Sequence, residues 1–506
     1  MNEFDVVIVG AGPVGLFLAC EVALAGCAVL VLEREPEQLS PWRAEPLGMR
    51  GLNAASVEAF HRRGMLPSLL TASGAHDDPG ASLDLDEPAS PRFAGHFAGM
   101  MLDPAGIDVA ALPFRLPSPA PDFLFISLDA IETVLRERAA KLGVQIRHGS
   151  AVSALAQDED GVVVRAGARE YTADRVVGCD GGRSAVRRLA GFEFVGTEPQ
   201  FTGYVALATI ADPEKLGTGM ITPTPMGAYL RMPTEGHIAM MDFDGGAFDR
   251  TRQPTREHLQ AVLRRVSGTD VTLSEVHLAS SFTDRAMQTT TYRRGRVLLA
   301  GDAAHIHSPL GGQGLNLGIG DAVNLGWKLA ATVQGSAPDG LLDTYTRERH
   351  PIGAKVLDWS RAQVEVMRPD PHARAIRAVV GDLLATGAGA TYGFERISGS
   401  WIRYDLGGEH PLIGRNAPDF HLTDGTRLSD LLQDGRGVAL DFSTDQYLRE
   451  AASGWESRIR YAAGAARNDL GCGAVLIRPD GTVAWAGDRD TDAFERAATR
   501  WFGSRA

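Results

Sequence analysis

The stretch DVVIVGAGPVGLFLACEVALAGCAVLVLER, residues 5–34, restricts the possible fold more than any other part of the chain. Asp5 to Val9 is a short, continuously apolar run, the pattern of a strand buried on both faces. Gly10, Gly12 and Gly15 then give G-x-G-x-x-G. Leu16 to Ala25 reads as an apolar helix stopped by Gly26, and Ala28 to Leu32 as a second buried strand with Glu33 at its end. Strand, glycine turn, helix, strand and an acid about 20 residues further on make the dinucleotide-binding fingerprint. In that reading Gly10 makes the tight turn, Gly12 lets a pyrophosphate approach the backbone, and Gly15 lets helix and strand pack. The helix start offers free N–H groups and a positive dipole end to the phosphates. Glu33 can accept hydrogen bonds from an adenosine ribose and would repel the extra phosphate of NADP. The fingerprint by itself fits FAD or NAD.

At 506 residues the chain is too long for one ordinary core, so two or three domains are expected. Its net charge of −13 leaves no basic excess to neutralise phosphates, which argues against a nucleic-acid partner. Cys20, Cys27, Cys179 and Cys472 show no CxxC spacing and read as reduced thiols in a reducing cytoplasm. The N-terminal apolar run is preceded by Glu3 and Asp5 and broken by glycines, unlike a signal peptide, and no run is long enough to span a bilayer. A cytoplasmic monomer or homodimer, off the membrane, is the expectation.

Two further stretches pass from an apolar strand into glycines. In RVVGCDGGRSAVRR (175–188), Asp180 and Arg183 stand where open α/β sheets bind ligands. In GDAAHIHSPLGGQGLNLGIGDAVNLGWKLA (301–330), the strand Arg296 to Ala300 precedes Asp302, which can bond hydroxyls of a sugar-alcohol chain. Pro309 to Gly314 is a loop with few side chains in the way, and Leu315 to Val333 reads as a helix aiming its first N–H groups back at that loop. A flavin ring lying there would meet those groups with its N1–C2=O edge, where negative charge collects on reduction. His305 and His307 alternate on a short strand-like step without a third ligand, so they read as packing or capping residues, and no metal is expected.

In this order and at these separations, GAGPVG, CDGGRS and GDAAHIHSPLGGQGLN resemble the three cofactor motifs of the FAD-dependent aromatic hydroxylases. These are class A flavoprotein monooxygenases of the para-hydroxybenzoate hydroxylase fold, and the likeness covers roughly residues 4–400. GGQGLN followed by DAVNLGWKLA resembles the polyketide-tailoring branch, which acts on anthracycline, angucycline and tetracycline-type substrates. The resemblance implies an α/β fold with a discontinuous FAD-binding domain (1–75, 120–185, 285–400) and an interleaved antiparallel β-sheet substrate domain (76–119, 186–284). Gly10, Gly12, Pro13, Val14, Gly15, Glu33, Arg34 and Arg43 would hold the pyrophosphate and adenosine end, with Val152 near the adenine and Asp180 in the second motif. Asp302 would bind the ribityl chain, and Pro309, Gly311, Gly312, Gly314, Leu315 and Asn316 would line the isoalloxazine. Where relatives often carry Gln before the helix LDAIETVLRERA, this chain has Leu128, which removes a polar flavin contact.

The implied activity is FAD- and NAD(P)H-dependent hydroxylation of a polycyclic aromatic polyketide by O₂ through a flavin C4a-hydroperoxide. The flavin carries the chemistry, and no side chain is singled out as catalytic. A single dinucleotide fingerprint implies that NAD(P)H visits transiently. The runs YVALATI, and AYLRM and HIAMM across the turn PTEG, read as strands of a sheet roofing the flavin, with Tyr204, Tyr229, Arg231, His237 and Met240 as possible pocket residues. Rival readings are Baeyer–Villiger or dehydrogenative oxidation on the same fold, or a flavoprotein that shields an unstable intermediate without turning it over. Halogenation is disfavoured because no W-x-W occurs. Residues 405–506 resemble the thioredoxin-like domain appended to this branch, without its redox dithiol, and read as a structural or interaction domain.

Overall fold

The computed structural model describes residues 2–36, 40–75, 91–112, 114–217, 221–232, 234–443 and 445–505. Residues 76–90 and 113 of the expected substrate-domain segment 76–119, and Pro233 of the PTEG turn, lie outside the described residues. The architecture is mixed α/β, as expected, and three sheets organise it.

The first sheet runs in the order Arg293–Arg294, Val297–Leu299, Arg169–Gly178, β1 (Phe4–Val9), β2 (Val29–Leu32), Gln145–Arg147. From Val297–Leu299 to Gln145–Arg147 all neighbours are parallel. Parallel strands are covered on both faces, which is why β1 and β2 read as unbroken apolar runs. Each fully buried Val, Ile or Leu there contributes about 1.5–3 kcal/mol of transfer free energy. Helix α1 (Pro13–Leu24) is buried continuously from Gly15 to Ala23. A helix apolar on every side can only be a packed central element. The three motifs GAGPVG, CDGGRS and GDAAH all leave the carboxyl ends of adjacent parallel strands, β1, Arg169–Gly178 and Val297–Leu299. That edge is where such sheets bind ligands.

The second sheet is antiparallel, ordered Ile221–Thr224, Gly227–Arg231, His237–Asp242, Thr202–Ile210, Leu273–Thr283. Its two faces have different partners. Tyr204, Ala206, Tyr229, Ile238 and Met240 pack under Leu259, Val262, Leu263 and Val266 of the helix Arg256–Ser267. Ala228, Leu230, Met241 and Phe282 pack on the other side with Leu310 of the glycine loop and with Val364 and Met367.

This corrects the pocket expectation. Tyr204, Tyr229 and Met240 lie beneath the covering helix, away from the glycine loop. Arg231 shares the Tyr229 side by strand alternation, with its Nη1 3.4 Å from the carbonyls of Pro213, Leu216 and Gly217. Of the five candidates only His237 shares the face of Met241. A period of two marks which residues share a face, not which neighbour covers it.

The third sheet orders Ile459–Ala463, Gly437–Asp441, Ala474–Ile477, Val483–Gly487, the first pair parallel and the rest antiparallel, with helix Thr491–Phe502 against it. This mixed sheet and its helix occupy the segment expected to be thioredoxin-like. Cys472 is a free thiol. Among the described residues no helix is long and apolar enough to cross a membrane.

Candidate functional site

The three glycines of the fingerprint differ in what surrounds them. Gly10 has φ +108°, and a β-carbon there would lie 2.4 Å from the carbonyl oxygen of Cys179, so the first turn is seated on the second motif. A β-carbon on Gly15 would lie 2.0 Å from the Gly10 oxygen. A β-carbon on Gly12 would meet no protein atom within 4 Å. Gly12 caps α1 without a side-chain hydrogen bond, and Pro13 follows at the first helical turn. The first N–H groups of α1 therefore face open space. Glu33, 8% exposed, braces this turn: Oε2 accepts from the Ala11 N–H at 2.7 Å and Oε1 from the Glu35 N–H at 2.9 Å. Each oxygen keeps a further acceptor site.

The 301 loop lies directly beside this turn. β-Carbons on Gly301 and Gly318 would lie 3.2 and 2.6 Å from Cγ2 of Val14, so fingerprint helix, loop and the helix Gln313–Val333 are in contact. Asp302 is exposed by area yet crowded by protein, as a side chain lining a cleft must be. Burial raises its carboxyl pKa, with His305 and Arg50 pulling the other way. Its Oδ1 is 3.9 Å from a β-carbon placed on Gly314, at the start of the long helix. Gly311 and Gly312 have φ +80° and +63°, and Gly312 caps that helix with nothing within 4 Å of a β-carbon. Pro309 is exposed and Leu315 half-buried on the same loop. Asn316 staples the loop to β3 (Met49–Asn53). It accepts from Asn53 N–H and donates to the carbonyls of Gly51 and Gly312, all at 2.9 Å.

Residues 3–360 match the family model described as FAD binding domain, and residues 410–505 match that of the aromatic-ring hydroxylase C-terminal domain. The chain belongs to the FAD-dependent aromatic-ring hydroxylases. It is similar to a monooxygenase of Claviceps purpurea, 44% identical over 98% of this chain and 97% of that protein. It is also similar to the anhydrotetracycline monooxygenase of Streptomyces rimosus, 39% identical over the whole of both. A solved structure titled OxyS anhydrotetracycline hydroxylase, from Streptomyces rimosus, superposes with a TM-score of 0.85 at 37% identity, covering 99% of this chain and all of that one.

FAD is the cofactor of this hydroxylase family, and the residues present fit it. A β-carbon on Gly12 or Gly312 would meet no protein atom within 4 Å, so both helix starts stay open to a cofactor, and Asp302 offers an accessible carboxylate on the loop beside them. Other candidates have other partners. Arg34 points to solvent and pairs with Glu35. Arg43 is held by Glu132 at 3.0 Å on helix Leu128–Lys141, whose first residue, Leu128, donates its N–H to the Gly48 carbonyl at 3.0 Å. Val152 starts the strand Val152–Gln157, half-buried. Asp180 accepts from the Ser184 hydroxyl at 2.5 Å and from the Ala185 and Val186 N–H groups at 2.6 and 3.2 Å, so it caps its own helix.

Three charged residues packed around the site escaped the sequence reading. Arg50 stands in the cleft within electrostatic reach of Asp302 and His237, with Nη1 donating to the carbonyls of Leu47 and Met49 at 3.0 and 2.7 Å. His237 is lowered by burial and by that charge. Asp321 and Arg349 brace the 301 loop from behind. Asp321 accepts from the Gly301 N–H at 3.0 Å, from His305 Nε2 at 2.6 Å and from Arg349 Nε at 2.8 Å. The signal for Asp321 was an acid among the apolar positions of DAVNLGWKLA. His305 is thereby held, fully buried, against Asp321. His307 donates from Nδ1 to the Ser308 carbonyl at 2.7 Å, and burial pushes its imidazole down to about 4.

Proposed function

We propose that this hydroxylase inserts one atom of O₂ into an aromatic polyketide, with NAD(P)H as reductant: ArH + O₂ + NAD(P)H + H⁺ → ArOH + NAD(P)⁺ + H₂O. The observation that carries the reading is the juxtaposition of α1, Asp302 and the Gly312-capped helix through Val14. Bound FAD supplies the reduction of O₂ and the electrophilic oxygen. The chain's own residues do the rest. Gly10, Gly12 and the N–H groups of α1 hold the pyrophosphate, and Glu33 accepts from the ribose. Asp302 accepts from the ribityl hydroxyls. The start of helix Gln313–Val333, at Leu315 and Asn316, would meet the flavin ring and favour the negative charge it takes on when reduced. The apolar sheet face of Ala228, Leu230, Met241 and Phe282, closed by Leu310, excludes water from a flat aromatic substrate. Anhydrotetracycline, named for the Streptomyces rimosus enzymes this chain resembles, is a substrate of that polycyclic class.

The test is turnover under ¹⁸O₂ with tricyclic and tetracyclic phenols. Substrate-accelerated NAD(P)H oxidation with one ¹⁸O per product is expected. NAD(P)H oxidation with no labelled product from any of them refutes the reading and favours a non-oxygenating flavoprotein. Asp302→Ala should purify with most of its FAD lost.

A further inference from the structure

The C-terminal domain lacks a redox dithiol, yet a chain of buried ions joins it to the 301 loop. Arg478, beside the hairpin turn of the third sheet, is 0% exposed. Its Nη1 and Nη2 donate to Glu348 Oε1 and Oε2, both at 2.9 Å, and its Nε to Asp480 Oδ1 at 3.1 Å. Glu348 lies in helix Thr344–Met367 and also accepts from Lys328 Nζ at 2.8 Å and Asn324 Nδ2 at 2.7 Å, both on the glycine-capped helix. Burial alone would raise the Glu348 carboxyl, but Arg478 and Lys328 hold it well below the usual range. The next residue, Arg349, is 1% exposed and turns the other way, donating to Asp321 Oδ1 at 2.8 Å and to the Leu317 carbonyl at 2.9 Å. Asp321 in turn accepts the Gly301 N–H at 3.0 Å, one residue before Asp302.

We propose that the C-terminal domain is a positioning device for the cofactor loop. Arg478 sets the place and rotation of helix Thr344–Met367 through Glu348. Arg349 can then reach Asp321, and Asp321 holds the Gly301 turn where Asp302 meets FAD. Consecutive helix residues diverge by about 100°, so anchoring Glu348 on one side registers Arg349 on the other. Buried ion pairs are a poor source of stability, because desolvation offsets their attraction, so geometry is the better account of the six charges placed here. The Arg478 fork grips both Glu348 oxygens at once, which an ammonium cannot reproduce. The inference rests on the assignment of Asp302 to FAD.

The experiment uses full-length protein. Arg478→Lys keeps the charge and loses the fork. Val475→Ala, in the buried strand Ala474–Ile477, weakens the same domain without touching the chain of ions. Arg478→Lys should raise the FAD dissociation constant about tenfold. At saturating FAD it should also change the visible circular dichroism of the bound flavin. Val475→Ala should lower Tm while leaving both readouts within twofold and unchanged in shape. An Arg478→Lys affinity and spectrum equal to the parent overturns the proposal, as does a Val475→Ala effect of the same size. If Arg478→Lys does not fold, Glu348→Gln against the same control decides by the same criteria. Asp302→Ala separates the two levels. If it keeps its FAD, the site assignment fails; if it loses FAD while Arg478→Lys is unaffected, only the positioning role fails.

Discussion

Gly12→Ala and Gly15→Ala add the same methyl group three residues apart and should fail in opposite ways. At Gly12 the backbone is extended (φ −74°, ψ 176°), open to any residue, and the new carbon meets no protein atom within 4 Å. Replacing Gly by Ala at an N-cap costs about 0.5–1 kcal/mol, and the stiffer unfolded chain returns about 0.4–1 kcal/mol, so apoprotein stability should hardly move. The methyl fills the space through which a pyrophosphate reaches the α1 N–H groups. Losing one or two charge-assisted hydrogen bonds at about 1.5–3 kcal/mol each weakens FAD binding roughly 10- to 10⁴-fold. At Gly15 the carbon would sit 2.0 Å from the Gly10 oxygen, so helix and turn must part. That overpacking costs about 1–3 kcal/mol or more of apoprotein stability before any cofactor is added. Denaturant unfolding of both apoproteins and FAD titration by fluorescence quenching measure the two quantities. A Gly12→Ala protein that binds FAD within threefold of the parent, or that loses as much apo stability as Gly15→Ala, refutes the argument.

Tyr204 donates to or accepts from His258 Nε2 at 2.9 Å beneath the covering helix. Tyr204→Phe should therefore cost about 0.5–1.5 kcal/mol of stability in denaturant melts while kcat/KM stays within twofold. Leu230→Trp, on the opposite sheet face, should raise KM for the aromatic substrate with little change in the flavin spectrum. Glu348 is depressed in the folded protein, so its contribution is present above the unfolded carboxylate pKa and is lost as pH falls through about 4 and below. Tm measured from pH 6 to 3 should fall less steeply in Glu348→Gln than in the parent; parallel curves would remove Glu348 from the acid response.

What is local was legible in the sequence. The expected strand Asp5–Val9 is observed as Phe4–Val9, the helix Leu16–Ala25 as Pro13–Leu24, and the helix Leu315–Val333 as Gln313–Val333. These elements follow from apolar runs, from helix stops and from glycines at positive φ, all properties of neighbouring residues. Partners distant in sequence were decided only by the tertiary structure. Tyr204, Tyr229 and Met240 share a face by alternation alone, but which layer covers that face depends on where helix Arg256–Ser267 lands. Asp180 turned inward to cap its own helix, and Arg43 went to Glu132 while Arg50 took the cleft. Glu348 and Arg478 stand 130 residues apart, and a charge is tolerated in an apolar seam only when its counter-charge arrives with the fold, which periodicity in one dimension does not encode.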